Sequence, residues 1–381
     1  MAGLMLSGLC ASVQAELDGF FSTLGLARDR IRQVSAQAFS KARRGFSATL
    51  FSAANAHLVS VAESHWQRFA WQGLRPVAAD ASRLQVATRA GAELQPDHYA
   101  FALFLPGPEL TLHASLHAVV GGCERQMLFE ALEHLRPGQD LLLLDRGYPA
   151  AWLVALLKQR GIDFCMRVDA TGWNCVKAFL ASGEAERRVR LPRPPAKECA
   201  VYEVTREAVE VRLIRDLTPE GNVRVLMTSL LDAQRYVGGE FGHLYHRRWR
   251  VEEAFKRIKH RLRLEACSGL TYLALQQDFA AKVLADNLFM LVADSADLAD
   301  HELDGIDSAT RRSRPNRTYA LGALKPVIVG CLFAVRGARA ALRRALEAVL
   351  NTRCRDRKTR KSYPRPPRKK PHLCATYRPV R

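Results

Sequence analysis

The chain has 381 residues, of which 48% are hydrophobic and 25% charged, proportions that exclude a disordered chain and predict two or three folded domains. Lys and Arg number 57 and Asp and Glu 38, so the formal net charge is +19. This charge favours a polyanionic partner, either nucleic acid or acidic lipid, without specifying any chemistry.

The spacing of the cysteines and the hydropathy favour a soluble protein of a reducing compartment. The nine cysteines include no Cys-x-x-Cys pair, which argues against a disulfide framework and a cysteine zinc site and favours a reducing cytoplasm. Apolar runs such as residues 327–335 are far shorter than the roughly 20 residues needed to cross a bilayer. The first ten residues lack the basic region of a signal peptide. We therefore expect a soluble protein with no membrane partner.

Residues 1–65 have helical patterns. Within residues 29–44, apolar side chains recur at three- and four-residue steps, and Ser35 suits the N-cap of a helix beginning at Ala36. The pattern predicts a short helix, a turn and a second helix. The second helix carries side chains suited to phosphates and base edges, namely Gln37, Ser40, Lys41, Arg43 and Arg44. An ordinary amphipathic helix with a solvated basic face explains this segment equally well.

From about residue 70 the pattern changes to strands. A strand that contains Asp80 is predicted near residues 75–86, and two more follow at 99–105 and 110–120. A helix is predicted over residues 124–135.

The next segment predicts a βαβ unit. Residues 139–144 are a nearly continuous apolar run, as expected of a strand buried on both faces, and the run ends on Asp145. A helix to Gln159 and a strand over residues 162–168 complete the unit. Asp145 thus stands at the carboxyl end of a strand, where α/β sheets place their chemistry. Asp140 starts that strand, and we expect it to be structural.

The remaining chain contains an insertion, two long helices and a basic tail. Alternating patterns predict an antiparallel insertion at residues 169–232, and helices are predicted at 242–264 and 273–293. Residues 353–381 contain 12 Lys and Arg, one Asp and five prolines, a net charge of +11. This composition predicts a disordered tail.

The helix over residues 242–264 carries a column of functional side chains. At about 100° per residue, Tyr245, Arg248, Glu252 and Lys259 fall within one arc of roughly 60° beside the apolar stripe. Glu253 points to solvent, so Glu252 is the candidate acid. Taken alone, this helix is explained somewhat better as an exposed helix with an ordinary ion pair four residues apart.

Three carboxylates on separate elements favour metal chemistry. Asp80, Asp145 and Glu252 would supply the oxygen donors that Mg²⁺ prefers. Two such ions activate the attacking oxygen and stabilise the leaving one in phosphoryl transfer. Arg248 and Lys259 would hold phosphates, and Tyr245 a phosphate or a displaced base.

These residues resemble a known family. The spacing Tyr-x2-Arg-x3-Glu-x6-Lys that begins at Tyr245 is similar to the signature helix of the fourth insertion-sequence family of bacterial DDE transposases. The segment Leu-Leu-Asp-Arg-Gly-Tyr that ends at Tyr148 resembles the family's second-aspartate motif, and Asp80 stands where its first aspartate is expected. Residues 37–43 resemble its N-terminal DNA-binding helix. One departure is Ala81, where the family usually has glycine.

The resemblance implies an α/β fold: a ribonuclease-H-like catalytic core interrupted by an antiparallel β insertion, with helical N-terminal and C-terminal parts. The expected boundaries are 1–65 for a helical DNA-binding domain, 66–300 for the catalytic domain with its insertion at about 169–232, 301–350 for a helical C-terminal region and 351–381 for the tail.

The resemblance also implies metal-dependent DNA cleavage and strand transfer at insertion-sequence ends. Asp80, Asp145 and Glu252 would be the catalytic ligands of two Mg²⁺ ions, which Mn²⁺ can replace. Tyr245 and Trp249 are candidates to hold a displaced base. The implied partners are double-stranded DNA, at the transposon ends and at the target, and a second copy in a synaptic homodimer. The implied location is the bacterial cytoplasm, on the nucleoid.

Two alternatives remain open from the sequence. In the first alternative, the chain is a decayed or domesticated homologue that binds DNA without cutting it. In the second, it is a ribonuclease-H-like nuclease without a strand-transfer step.

Overall fold

The computed structural model describes residues 1–9, 12–24, 34–86, 88–90, 93–95, 97–119, 122–169, 172–218, 221–304 and 313–355. The short helix predicted to start at residue 29 falls mostly outside the described residues, as does the basic tail beyond residue 355. The chain divides into two compact units. One comprises Met1–Val59, Arg83–His98 and Lys256–Arg381, and the other Ser60–Ser82 and Tyr99–Phe255.

The helices and strands of the described residues have the following bounds. The α-helices are α1 (Ala2–Leu6), α2 (Val13–Thr23), α3 (Ala36–Ala42), α4 (Thr49–Ala62), α5 (Glu124–Ala131), α6 (Ala151–Gln159), α7 (Asn174–Ser182), α8 (Ala196–Tyr202), α9 (Phe241–His246), α10 (Trp249–His260), α11 (Tyr272–Asp304), α12 (Arg317–Leu332) and α13 (Ala338–Asn351). The strands are β1 (Arg75–Leu84), β2 (Thr88–Ala90), β3 (Glu93–Gln95), β4 (His98–Leu105), β5 (Leu110–Ala118), β6 (Asp140–Leu144), β7 (Asp163–Val168), β8 (Glu186–Arg190), β9 (Glu210–Leu217), β10 (Val223–Thr228), β11 (Ser313–Pro315) and β12 (Arg353–Arg355).

A mixed sheet forms the centre of the unit that contains Tyr99–Phe255. Its strand order in the described residues is β5-β4-β1-β6-β7-β10-β9-β8. The strands β1, β6 and β7 run parallel, whereas β10 is antiparallel to β7 and to β9. Every residue of β6 is buried, which confirms the predicted strand covered on both faces.

A buried ionic network holds β1 against β6. The Arg75 guanidinium donates from Nε and Nη2 to the two carboxylate oxygens of Asp140, at 2.6 and 2.7 Å. Arg75 also pairs with Glu63, and the backbone N–H of Arg136 donates to Asp140 at 2.8 Å. A buried carboxylate is tolerated when it is paired and hydrogen-bonded in this way. The expectation that Asp140 is structural is confirmed.

In the other unit, Arg43 joins α3 to α11. The Ser35 side chain caps α3 as predicted, accepting from the Ala38 N–H at 3.1 Å. Arg43 follows α3 and is only 5% exposed. Its guanidinium donates to Gln277 at 2.7 Å, to Ser268 at 2.6 Å and to Asp278 at 2.9 Å. These donors are therefore used inside the unit.

The structure corrects several predicted elements. The helix expected over 242–264 is interrupted by a turn at Arg247 and Arg248, between α9 and α10. The helix expected over 273–293 is longer and extends to Asp304. The insertion contains α7 and α8 as well as strands, and β8, β9 and β10 extend the central sheet. Residues 353–355 form β12, which pairs with β11, although they were assigned to the disordered tail.

None of the described helices is long and apolar enough to cross a membrane.

The buried Arg43–Asp278 pair gives a test of packing. We expect Arg43→Ala to destabilise the chain by about 3–5 kcal/mol, because it leaves the Asp278 charge buried and uncompensated. Urea unfolding of the full chain measures the loss. The neighbouring Arg44 is exposed, so Arg44→Ala should change stability by no more than about 0.5 kcal/mol. Equal effects of the two substitutions would contradict the assignment of Arg43 to packing.

Candidate active site

The register of two parallel strands brings Asp80 and Asp145 together. Ala78 of β1 pairs with Leu143 of β6, so two residues further along each chain the two aspartates are level. Neighbouring strands lie about 4.8 Å apart, and residues two apart share one face of the sheet. The register therefore places Asp80 and Asp145 at the same level of two neighbouring strands, with Asp145 just past the end of β6.

Ala81 is accommodated without strain. It lies within β1 and is not among the described residues with a positive φ. Its backbone N–H hydrogen-bonds the Asp80 carboxylate. The alanine at the position where the resembled family has glycine therefore leaves the backbone and the carboxylate in place.

The turn between α9 and α10 supplies further side chains to this edge. Tyr245, the penultimate residue of α9, donates from its hydroxyl to Asp145 Oδ1 at 3.4 Å. Arg248 lies in the turn and donates from Nη2 to Glu252 Oε1 at 2.9 Å. Tyr245, Arg248 and Glu252 thus meet at the acids, although not on the continuous helix that was predicted.

Arg248 is a buried cation, and some of its N–H donors form no hydrogen bond within the described residues. Its residue is 3% exposed, and its Nε and Nη1 atoms have no hydrogen-bond partner among the described residues. The nearby Tyr245, Asp145, Asp80 and Glu252 favour its charged form and raise its pKa despite burial. An unsatisfied buried donor is unfavourable, and the Nε and Nη1 atoms of Arg248 have donor capacity left for a further acceptor.

Asp80 has a strongly perturbed acidity. Burial raises the pKa of its carboxyl from 3.8 to about 7. Arg248 acts in the opposite direction, while the negative charges of Glu252 and Glu124 raise the pKa further. Perturbed carboxyls of this kind are concentrated at functional sites.

Glu124, the first residue of α5, is a member of this cluster that the sequence did not reveal. Burial raises the pKa of its carboxyl, and so does the charge of Asp145. An isolated Glu at the start of a helix is an ordinary favourable contact with the helix dipole, so its sequence position carries no signal of a site.

The donor set has the chemistry of a hard divalent cation. Four carboxylates, those of Asp80, Glu124, Asp145 and Glu252, share this edge with Arg248. Carboxylate oxygens are what Mg²⁺ prefers, and an excess of negative charge attracts a cation. Within the described residues, no group of three acidic, His or Cys side chains is already arranged to hold a metal. The residues fit the ion in charge and donor type.

The side chains predicted to contact DNA differ in how exposed they are. Of the α3 set, Gln37, Lys41 and Arg44 are exposed and Ser40 is half-buried, whereas Arg43 is buried by its partners on and near α11. The structure thus gives Arg43 a packing role in place of the predicted phosphate contact. Lys259 is half-buried and donates from Nζ to the Arg83 carbonyl at 2.6 Å.

The two aromatic candidates differ in access. The Trp249 residue is 37% exposed, and the Arg248 guanidinium lies over its ring at 5.9 Å from the centroid. Tyr245 is 2% exposed, and the Arg224 guanidinium covers its ring at 4.9 Å from the centroid. The expectation that Tyr245 holds a displaced base is therefore replaced by its contact with Asp145, and Trp249 remains the aromatic candidate.

Comparison with known proteins points to one family. Residues 115–288 match the family model described as the transposase DDE domain. This range contains Glu124, Asp145 and Glu252, while Asp80 precedes it. The chain is 29% identical over 185 residues to the transposase InsG of insertion sequence element IS4 from Escherichia coli K12. That alignment covers 47% of this chain and 41% of the relative, so the chain spans less than half the length of the relative.

A solved structure is also similar at low identity. The synaptic complex of the piggyBac transposase with hairpin DNA aligns with 8% identity and a TM-score of 0.40, covering 76% of this chain and 59% of that one.

The acidity of Asp80 predicts a dependence of stability on pH. Its pKa is about 7 in the fold and 3.8 in the reference state, so its contribution to stability is present below about pH 4 and is lost as the pH rises through about 7. Asp80→Asn mimics the protonated form at every pH. At about 1.4 kcal/mol per pKa unit, the variant should be more stable than the parent by a few kcal/mol at pH 8 and little changed at pH 4. Melting curves in EDTA across this range measure the difference.

The matched control is Glu253→Gln, which alters an exposed acid on α10. It should leave the pH profile of the melting temperature unchanged. A profile for Asp80→Asn that parallels that of the parent would show that Asp80 does not titrate in this way.

Proposed function

We propose that this chain is a DDE transposase of the IS4 type, because residues 115–288 match the transposase DDE domain and part of the chain is similar to the IS4 transposase InsG. It would cut DNA at the ends of an insertion sequence and join those ends to a target. The reaction is a metal-dependent phosphoryl transfer. Asp80, Asp145 and Glu252 are its proposed catalytic residues.

The observation that supports this proposal is the concentration of acidic charge from separate elements near Asp80 and Asp145. The strand register makes Asp80 level with Asp145, and Glu252 lies close enough to Asp80 to raise its pKa. Acids that gather without a matching number of cations destabilise a fold, so their convergence indicates a functional requirement.

The three acids are the proposed ligands of two Mg²⁺ ions, for which Mn²⁺ can substitute. When bound, such ions polarise the scissile phosphate and lower the pKa of the attacking water or hydroxyl. The protein's own contribution is to hold the carboxylates on two strands and a helix.

Arg248 is proposed to hold a phosphate of the DNA end. Its Nε and Nη1 atoms are buried and unpartnered in the described structure, and a phosphate presents the acceptors that they lack. Tyr245, bonded to Asp145, would orient that carboxylate. The exposed ring of Trp249 would stack on a displaced base.

The DNA-binding surface is proposed to include α3. Gln37, Lys41 and Arg44 are exposed at helical spacing with Ser40 beside them, which suits contacts to phosphates and base edges. Residues 353–381 carry a net charge of +11 that would add affinity independent of base sequence. Joining two DNA ends requires a synaptic homodimer on DNA, and the proposed location is the bacterial nucleoid.

The catalytic core is proposed to be ribonuclease-H-like. Supporting this are the strand order β5-β4-β1-β6-β7 with parallel β1, β6 and β7, and the acids at its carboxyl edge. The strands β10, β9 and β8 would then be the insertion. The proposed domain plan keeps a DNA-binding domain at 1–65, a catalytic domain at 66–300 and a helical region at 301–350.

The first prediction of this function concerns the three acids. Asp80→Ala, Asp145→Ala and Glu252→Ala should each abolish Mg²⁺-dependent nicking of supercoiled DNA while DNA binding persists, because each removes a proposed metal ligand. Glu253→Ala, which alters the neighbouring exposed acid, should keep full activity. Normal nicking by Glu252→Ala would refute the assignment of that acid.

The same assay separates the two alternatives. A DNA-binding homologue that has lost catalysis would bind DNA without nicking it at any Mg²⁺ concentration. A nuclease without strand transfer would nick DNA but form no joined product from a pre-cut end. Joined products that require Asp80, Asp145 and Glu252 are expected.

The second prediction concerns the phosphate-holding cations. Arg248→Ala and Lys259→Ala should weaken binding of the DNA end by roughly 1.5–3 kcal/mol for each charged hydrogen bond lost. Arg248→Lys should restore only part of the loss, because one ammonium cannot replace a planar guanidinium. Equilibrium binding to end-sequence DNA measures the effect. Lys256→Ala, an exposed change on α10, is the control, and a loss equal to that of the control would assign these cations to the helix surface.

A further inference from the structure

Glu124 reaches the loop that follows Asp145. A Cβ atom placed on Gly147 would lie 3.3 Å from Glu124 Oε2, tighter than an ordinary van der Waals contact. The space beside Gly147 is therefore filled by this carboxylate. Because Gly147 is two residues from Asp145, the contact brings Glu124 to the edge where the other acids meet.

Arg125 fixes that approach. Its Nε donates to the carbonyl oxygens of Gly147 and Tyr148, both at 3.1 Å, and its Nη2 to that of Pro149 at 3.3 Å. The start of α5 is thus tied to the loop by a side chain whose donors go to the backbone. Arg125 positions Glu124 without forming an ion pair with it.

Glu124 differs from the structural acids of this chain. Asp140, Asp278 and Asp286 are buried, and each is paired with an arginine. Within the described residues the Glu124 carboxylate forms no hydrogen bond or ion pair, and Arg248 and Arg125 act on it only by electrostatic attraction over a longer distance. A half-buried carboxylate that has no cation within ion-pair distance and lies beside other acids adds little to packing that an apolar residue would not supply better.

A second group at this place points independently to a missing ligand. The hydroxyl of Tyr148 is fully buried and has no hydrogen-bond partner among the described residues. It lies in the electrostatic field of Glu124, Asp80, Arg248 and Asp145. Buried hydroxyls are normally satisfied, so this one is placed to bond a water or ion that enters the acidic edge.

We propose that Glu124 is a fourth acidic residue of the cleavage site, held by Arg125, which strengthens the binding of divalent cations by accepting hydrogen bonds from their water ligands. Mg²⁺ keeps several waters when it binds protein, and those waters need acceptors. Residues in this position orient the directly bound ligands and affect metal affinity by 10–100-fold in other proteins. The inference rests on the proposed function, since it assumes that Asp80 and Asp145 bind the cation.

The test is Mn²⁺ binding by the full chain without DNA, measured by electron paramagnetic resonance for the parent, Glu124→Gln and Asp145→Asn. Glu124→Gln preserves shape but removes the charge, and we expect Mn²⁺ affinity to fall about 10–100-fold. The control is Glu133→Gln, an exposed acid just beyond α5, which should bind as the parent does. Unchanged affinity in Glu124→Gln, with lowered affinity in Asp145→Asn, would overturn the inference while leaving the proposed function intact.

Cleavage supplies a separate readout. The Mg²⁺ concentration for half-maximal nicking should rise by a similar factor in Glu124→Gln, and added Mg²⁺ should rescue the rate, whereas Glu252→Gln should stay inactive at every concentration. Melting in EDTA should show Glu124→Gln to be at least as stable as the parent, because a like charge is removed. A loss of nicking that Mg²⁺ does not rescue would overturn the inferred role. Absence of nicking by the parent would refute the proposed function, and the Mn²⁺ titration would still decide the role of Glu124.

Discussion

The bidentate pairing of Arg75 with Asp140 is the constraint on which the site depends. These two residues are register partners at the start of β1 and β6, and their side chains bond each other in a buried network with Glu63. Five residues further along each strand stand Asp80 and Asp145. A slip of one residue between the strands would turn one aspartate to the opposite face of the sheet. The Arg75–Asp140 ion pair at the start of the two strands thus fixes the register that keeps Asp80 and Asp145 level further along.

The site opposes the stability of the fold that carries it. Asp80 is half-buried beside like charges, Glu124 forms no ion pair within the described residues, and Arg248 and Tyr148 keep buried polar atoms without hydrogen-bond partners there. Elsewhere in the described chain, buried acids such as Asp140 and Asp278 are paired with arginines. The contrast lies in the pairing of the acids, because buried polar atoms without hydrogen-bond partners also occur in Asp97 and His98.

Local patterns predicted what short-range physics determines. The apolar run of β6 ending at Asp145, the cap at Ser35 and the solvent position of Glu253 all follow from periodicity and capping, and the structure confirms them. The errors concern long-range partners. Arg43 is one of two adjacent arginines, and only its packing against Asp278, 235 residues away, distinguishes it from the exposed Arg44. Glu124 lacked a sequence signal because its neighbours come from the loop after β6, which no periodicity on α5 reveals.

The spacing of Tyr245, Arg248 and Glu252 was interpreted on the assumption of a continuous helix, which the turn at Arg247 and Arg248 interrupts. A continuous helix would align Tyr245, Arg248 and Glu252 in one column by rotation alone. The structure breaks that helix, yet Tyr245 reaches Asp145 and Arg248 reaches Glu252. Both contacts are made to acids, one by Tyr245 before the turn and one by Arg248 within it. A buried guanidinium needs acceptors, and the acids need a cation, so the turn is stabilised by the interactions that it makes possible. The spacing from Tyr245 to Glu252 therefore matches the length of a turn and one helical segment that together reach the acids at the sheet edge. Electrostatic attraction between the side chains then holds the contacts.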